Sequence, residues 1–226
     1  MKSILLFIRE IYLRLRVILF PKFAKNHYDL GHFLVIQNKK LDMAENELRQ
    51  AIELNPNNYK HFLTLAYILH TDGKFSEAID YYQLAINKNP LCDNAYFNIG
   101  CLFHEKLNRF DEAKQAYQKA MEINPENPDT YFQIGWLLVD RLHNYEEAES
   151  MFNKTLELNP QDETALYNLA CIKSNNRDLD STFAYLQEAI DKGFDREWAR
   201  KDKDFEWLQN DLRFIEIIGL RPSGDN

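Results

Sequence analysis

Through most of the chain, apolar positions return three and four residues apart, which places them on one face of an α-helix. The trio Ala44, Leu48 and Ala51 is followed by Ala78, Tyr82 and Ala85, by Ala113, Tyr117 and Ala120, and by Ala148, Phe152 and Thr155. Each trio ends five residues before a proline, and each proline follows an asparagine: Asn55-Pro56, Asn89-Pro90, Asn124-Pro125 and Asn159-Pro160. The prolines stand 34, 35 and 35 residues apart. Upstream of each trio another small residue marks a preceding helix, at Gly31, Ala66, Gly100 and Gly135. A last copy carries Ala170, Thr182, Leu186 and Ala189 and stops at Gly193 in place of a proline.

This pattern predicts pairs of helices whose apolar stripes cannot be buried alone and must stack on their neighbours. Small residues fall where two helix axes approach closely, and the aromatic or leucine between them fills the wider gap. Proline ends the second helix of each pair and forces the chain to begin another. Breaks inside the pairs read at Thr71-Asp72-Gly73, Asn108-Arg109, His143-Asn144 and Asn175-Asn176. From the small residue of the first helix to that of the second the spacing is 13 in pairs one, three and four and 12 in pairs two and five, read as a longer inner turn.

These residues, with stretches such as Tyr96–Gly100 and Phe110–Tyr117, resemble the tetratricopeptide repeat, a helix–turn–helix unit with a period of 34 residues. The resemblance covers about residues 26–193 and implies an all-α, right-handed superhelical solenoid of about five units with a capping helix at each end. The expected organisation is a basic amphipathic helix at 1–21 and repeats at about 22–57, 58–91, 92–126, 127–161 and 162–193. C-terminal capping helices at 194–220 and a mobile tail at 221–226 complete it.

The N-terminal segment is the most ambiguous. From Ile4 to Phe20 it is largely apolar but holds Arg9, Glu10, Arg14 and Arg16. Twelve aliphatic or Phe residues at about −0.5 kcal/mol give roughly −6 for insertion, and four charges at about +3 give roughly +12, so spanning a bilayer is unfavourable. No export signal is expected, because charges interrupt the apolar run. As a helix it puts Ile4, Phe7, Ile8, Ile11, Leu15 and Ile18 on one face, with Lys2, Arg9 and Arg16 as a basic stripe. Two readings stand: a cap over the first repeat, or a helix at residues 2–20 that docks on a membrane surface or a hydrophobic partner.

Charge sharpens that choice. The chain of 226 residues carries a net −8, yet residues 1–25 hold six basic residues against Glu10, a +5 that leaves −13 on the remainder. So acidic a body argues against nucleic acid as a partner. Three cysteines (Cys92, Cys101 and Cys171) without knuckle or framework spacing suit free thiols in a reducing compartment, so a cytoplasmic protein, peripheral at a membrane in the docking reading, is expected.

No glycine-rich phosphate loop, zinc-protease helix or nucleophile elbow is present, and the six histidines lie scattered. Asp202 and Asp204 read as a solvated loop, and the sequon at Asn153 is discounted because Thr155 holds a packed position. No catalytic, cofactor or metal site is expected, and the chain is read as a non-catalytic scaffold or assembly adaptor. The alternative is a structural subunit of a membrane-associated complex held through the N-terminal helix. An enzyme with an unrecognised site ranks last.

The resemblance implies that the first helix of each unit lines a concave groove for a protein or extended peptide. Its lining residues would be Thr64, Tyr67, His70, Phe97, Asn98, His104, Phe132, Gln133, Trp136 and Asn168. An amide row of Asn98, Gln133 and Asn168 suits the backbone of an extended peptide, and Tyr67 and Trp136 supply anchor surface. Some family members clamp the carboxylate tails of chaperones with Lys and Arg. Here those places hold Tyr28, His32, Thr64, Asn94 and Asn98, so that ligand is disfavoured. Asp29, Glu105 and Asp140 instead point to a basic or neutral ligand.

Overall fold

The computed structural model describes residues 2–37 and 41–219, and among these the regular structure is helical, with no strand. The tail expected at 221–226 and the inner turn of the first pair, at 38–40, lie outside the described residues. The chain forms two compact units, Met1–Pro125 and Glu126–Asn226.

In the first unit, α1 (Lys2–Leu19) precedes three hairpins. These are α2 (Ala24–Ile36) on α3 (Leu41–Leu54), α4 (Tyr59–Thr71) on α5 (Phe75–Lys88), and α6 (Asp93–Cys101) on α7 (Phe110–Ile123). Successive hairpins touch through α3 on α4 and α5 on α6, and α1 packs on α2. The second unit pairs α8 (Pro128–Leu137) with α9 (Tyr145–Leu158) and α10 (Glu163–Asn175) with α11 (Leu179–Asp191). It closes with α12 (Arg196–Lys201), a 3₁₀ turn at Lys203–Leu208 and α13 (Leu212–Ile217).

The small residues do what their spacing demands. A Cβ on Gly100 would lie 2.6 Å from the Tyr117 ring, one on Gly135 2.9 Å from Phe152, and one on Gly31 2.9 Å from Leu48. The backbone of the first helix therefore rests directly on the large side chain of the second. Tyr117 and Phe152 are fully buried at these contacts, as is Tyr82 in the second pair. The Phe152 ring contributes about 2–3 kcal/mol by leaving water, and the tyrosines less, because burial also strips water from their hydroxyls.

The helix ends have local causes. After α3, α5 and α9 the asparagine before proline donates its N–H to the carbonyl of Ala51, Ala85 or Thr155 (3.0, 2.9 and 2.7 Å). Its side-chain oxygen accepts the N–H two residues on, at 3.2–3.3 Å. Asparagine thus shapes the link, and proline only prevents helix from continuing. Asn58, Asn127 and Asp162 then cap α4, α8 and α10.

The longer spacing expected as a longer turn has a different origin in the third and fourth pairs. The extra residue sits inside the helix, as π-helical turns at Leu102–Lys106 and Leu138–Leu142. The N–H of Leu107 reaches back five residues to Leu102 at 3.1 Å. Each of the four described inner turns contains a left-handed residue: Gly73 (φ 78°), Asn108 (54°), His143 (51°) and Arg177 (62°).

Candidate functional site

The residues expected to line the groove separate into two cavities, one in each unit, and a remainder that packs against neighbouring rings. In the first unit Thr64, Tyr67 and Asn98 surround a cavity of about 670 Å³ together with His32, Leu63 and Asn94. The Asn98 side-chain amide donates to the Asn94 carbonyl at 2.7 Å. That bond fixes the side chain and leaves its oxygen as an acceptor.

Other expected residues have different surroundings. His104 is buried at 2% exposure, edge-on to Phe110 and Tyr117, so it is core and lines neither cavity. Phe97 packs against Tyr117 with ring centroids 6.0 Å apart. His70 sits edge-on to Phe75, and burial holds its imidazole below the usual range. The three acidic residues singled out from the sequence all have cationic partners. Asp29 accepts from Arg16 at 3.1 Å, Glu105 lies 3.4 Å from Lys106, and Asp140 lies 2.7 Å from Arg141.

The second unit holds the richer site. Phe132, Gln133 and Trp136 from α8 and Asn168 from α10 border a cavity of about 580 Å³. Asn168 repeats the Asn98 arrangement, its amide donating to the Thr164 carbonyl at 2.8 Å. The Gln133 side-chain oxygen is buried without a hydrogen-bond partner among the described residues, an uncompensated desolvation cost, not an acceptor open to the cavity.

The far wall comes from Tyr167 and Cys171 of α10, at the repeat places that Phe132 and Trp136 hold on α8, and from Trp198, Asp202 and Asp204, which repeat spacing could not find. Tyr167 stacks on Phe194 with centroids 3.9 Å apart and donates its hydroxyl to the Asp202 carboxylate. Asp202 also caps the 3₁₀ turn, accepting the Asp204 N–H at 2.9 Å. The Cys171 sulfur and the two carboxylates lie within 4.8 Å of one another. Burial, reinforced by both carboxylates, pushes the Cys171 thiol well up, and burial likewise raises the Tyr167 phenol. Both groups therefore stay protonated at neutral pH, and the negative charge of the site rests on Asp202 and Asp204. Trp198 is 65% exposed at the rim instead of closing the end of the unit. The arrangement is an aromatic-walled pocket with two carboxylates that form no salt bridge among the described residues, suited to a cation.

Stacked helix hairpins with glycine or alanine at each crossing, and cavities built from their first helices, define a helical-repeat protein. The chain belongs to the tetratricopeptide-repeat family: profiles for that repeat match residues 24–58, 47–80, 72–128 and 106–170. No curated protein matches the chain. Among solved structures it is similar to PilW, a type IV pilus biogenesis factor (TM-score 0.71, 18% identity, 86% of this chain and 90% of that one). It is also similar to pilF of Pseudomonas aeruginosa (0.70, 18% identity, 88% and 97%). A third is YrrB, described as a TPR protein with an unusual peptide-binding site (0.63, 21% identity, 83% and 95%).

Proposed function

We propose that this protein is a non-catalytic scaffold that binds an extended peptide or unstructured protein segment through the first helices of its repeats. The second-unit pocket takes a lysine or arginine side chain. The carrying observation is that Asp202 and Asp204, with no salt-bridge partner among the described residues, stand in a cavity walled by Trp136, Tyr167 and Trp198. A cation there gains both charge neutralisation and ring-face attraction. Beside it, Asn168 presents its side-chain carbonyl oxygen to a peptide backbone. The peptide-binding description of YrrB and the repeat family itself support the reading. A structural-subunit reading is favoured by a separate observation, the apolar face that α1 leaves uncovered.

The test is an NMR titration with blocked tripeptides Ala-Lys-Ala, Ala-Gln-Ala and Ala-Glu-Ala, following the indole N–H signals of Trp136 and Trp198. Ala-Lys-Ala is expected to shift both signals, Ala-Gln-Ala to bind more weakly, and Ala-Glu-Ala to leave them unmoved. Asp202→Asn with Asp204→Asn should abolish the lysine response while the spectrum stays dispersed. Equal shifts from the glutamate peptide, or none from any peptide at millimolar concentration, would refute the pocket.

A further inference from the structure

α1 carries two apolar faces of unequal width, and only the narrower one packs against the fold. Leu13 is buried and Val17 lies against the first unit's core. On the same side Arg9 stands over the Phe33 ring at 5.5 Å, and Arg16 donates to Asn26 and Asp29 at 2.6 and 3.1 Å. The face singled out from the sequence points away from the fold. Ile4, Phe7, Ile8, Ile11, Leu15 and Ile18 are 41–70% exposed. At about 100° per residue this uncharged arc spans about 160°, from Phe7 round to Leu5. Arg14, paired with Glu10 at 2.7 Å, marks one border, and Arg16, paired with Asp29, and Arg9 mark the other.

We propose that this face seats α1 in the plane of an anionic lipid surface, with the arginines at its borders among the headgroups. The inference narrows the subunit reading of α1 and rests on it; the peptide pocket stands apart from both. No described helix is long and apolar enough to cross a membrane. Two features favour lipid over a second copy of the chain. The cleft beside it, of about 690 Å³, gathers Arg9, Arg16 and Lys25, with Asp29 as the one carboxylate among its lining residues. Phosphate oxygens would meet donors there. Finally, two copies pressed together through α1 would bring two segments of net +5 against each other, whereas an anionic surface offers them counter-charges. The −13 on the remainder of the chain would repel such a surface, which leaves the basic segment as the contact.

Flotation of the full chain with phosphatidylcholine vesicles, with and without phosphatidylserine, tests this. The wild-type chain should float with the anionic vesicles, stay behind with the neutral ones, and be released by salt. Ile8→Asp with Ile18→Asp should abolish flotation while the circular-dichroism spectrum and Tm stay as in the wild type. Lys25→Gln should weaken it about fivefold. Equal flotation with both vesicle types, or none with either, would overturn the proposal. So would light scattering that shows a dimer which the paired aspartates split, since the face would then belong to a second copy.

Discussion

In the first unit, α1 buries Leu13 and leaves Phe7, Ile8 and Ile18 more than half exposed; in the second, the segment after Gly193 buries Phe205 and Phe214 completely, with Leu208 at 1%. Both segments are rich in apolar residues, so composition does not separate them. Spacing does. The C-terminal aromatics lie on short turns that fold back over α10 and α11, where Trp207 donates to Ser174 at 3.0 Å and Arg213 stands over Phe183 at 4.2 Å. α1 is one continuous helix, and such a helix presses only one stripe against a neighbour. Nine-residue arcs of apolar surface on its other side have to find another apolar phase or stay in water.

The largest effect should come from that difference. Phe205→Ala removes a fully buried ring from the closing core and is expected to cost about 3–5 kcal/mol. Phe7→Ala, at a position 63% exposed, is expected to stay within about 0.5 kcal/mol. Urea denaturation of both variants measures the contrast. Similar losses would mean that α1's outer face is packed in solution and that the two ends are alike.

A second contrast lies within the hairpins. Alanine at Gly100 would set its Cβ 2.6 Å from the Tyr117 ring, and alanine at Gly135 would sit 2.9 Å from Phe152. Replacing glycine inside a helix gains about 1 kcal/mol of propensity, and overpacking costs about 1–3 kcal/mol. Gly100→Ala should therefore lose about 1–2 kcal/mol, and Gly135→Ala less than half as much. Thermal unfolding of the two variants decides it, and equal losses would show that ring displacement, not approach distance, sets the cost.

How much of this could be read from the sequence follows from what repeats and what does not. Ala78, Tyr82, Gly100, Tyr117 and Phe152 were legible because each hairpin poses the same packing problem and solves it with the same residue types. Thr64, Asn98, Gln133 and Asn168 could be placed by register alone. The acidic wall could not. Asp202 and Asp204 follow Gly193, where the period ends, and they meet Tyr167 only because the chain folds back over α10. The expectation of an acidic groove from Asp29, Glu105 and Asp140 missed that each has a cation beside it: Lys106 and Arg141 are the next residues in the sequence and were there to be read, whereas Arg16 reaches Asp29 from another helix, which spacing does not reveal. The face of α1 was legible, but its direction was not, since amphipathicity says which residues group together and not which group meets the neighbour.

The smallest expected effect concerns the inner turns, where the two units use different residues for the same backbone shape. Gly73 in the first unit and His143 in the second are both left-handed, at φ 78° and 51°. For an L-residue that conformation costs about 1–2 kcal/mol, and glycine escapes the cost but loses about 0.5–1 kcal/mol of chain entropy on folding. His143→Gly should therefore stabilise the protein slightly, by about 0.5 kcal/mol, and Gly73→Ala should destabilise it by about 1 kcal/mol. Arg177 has the same geometry but stands over the Trp207 ring at 4.1 Å, so glycine there would also remove a contact, and His143 gives the cleaner reading. Paired thermal melts should move in opposite directions; if His143→Gly lowers Tm, the histidine side chain contributes something to the second unit beyond the shape of its turn.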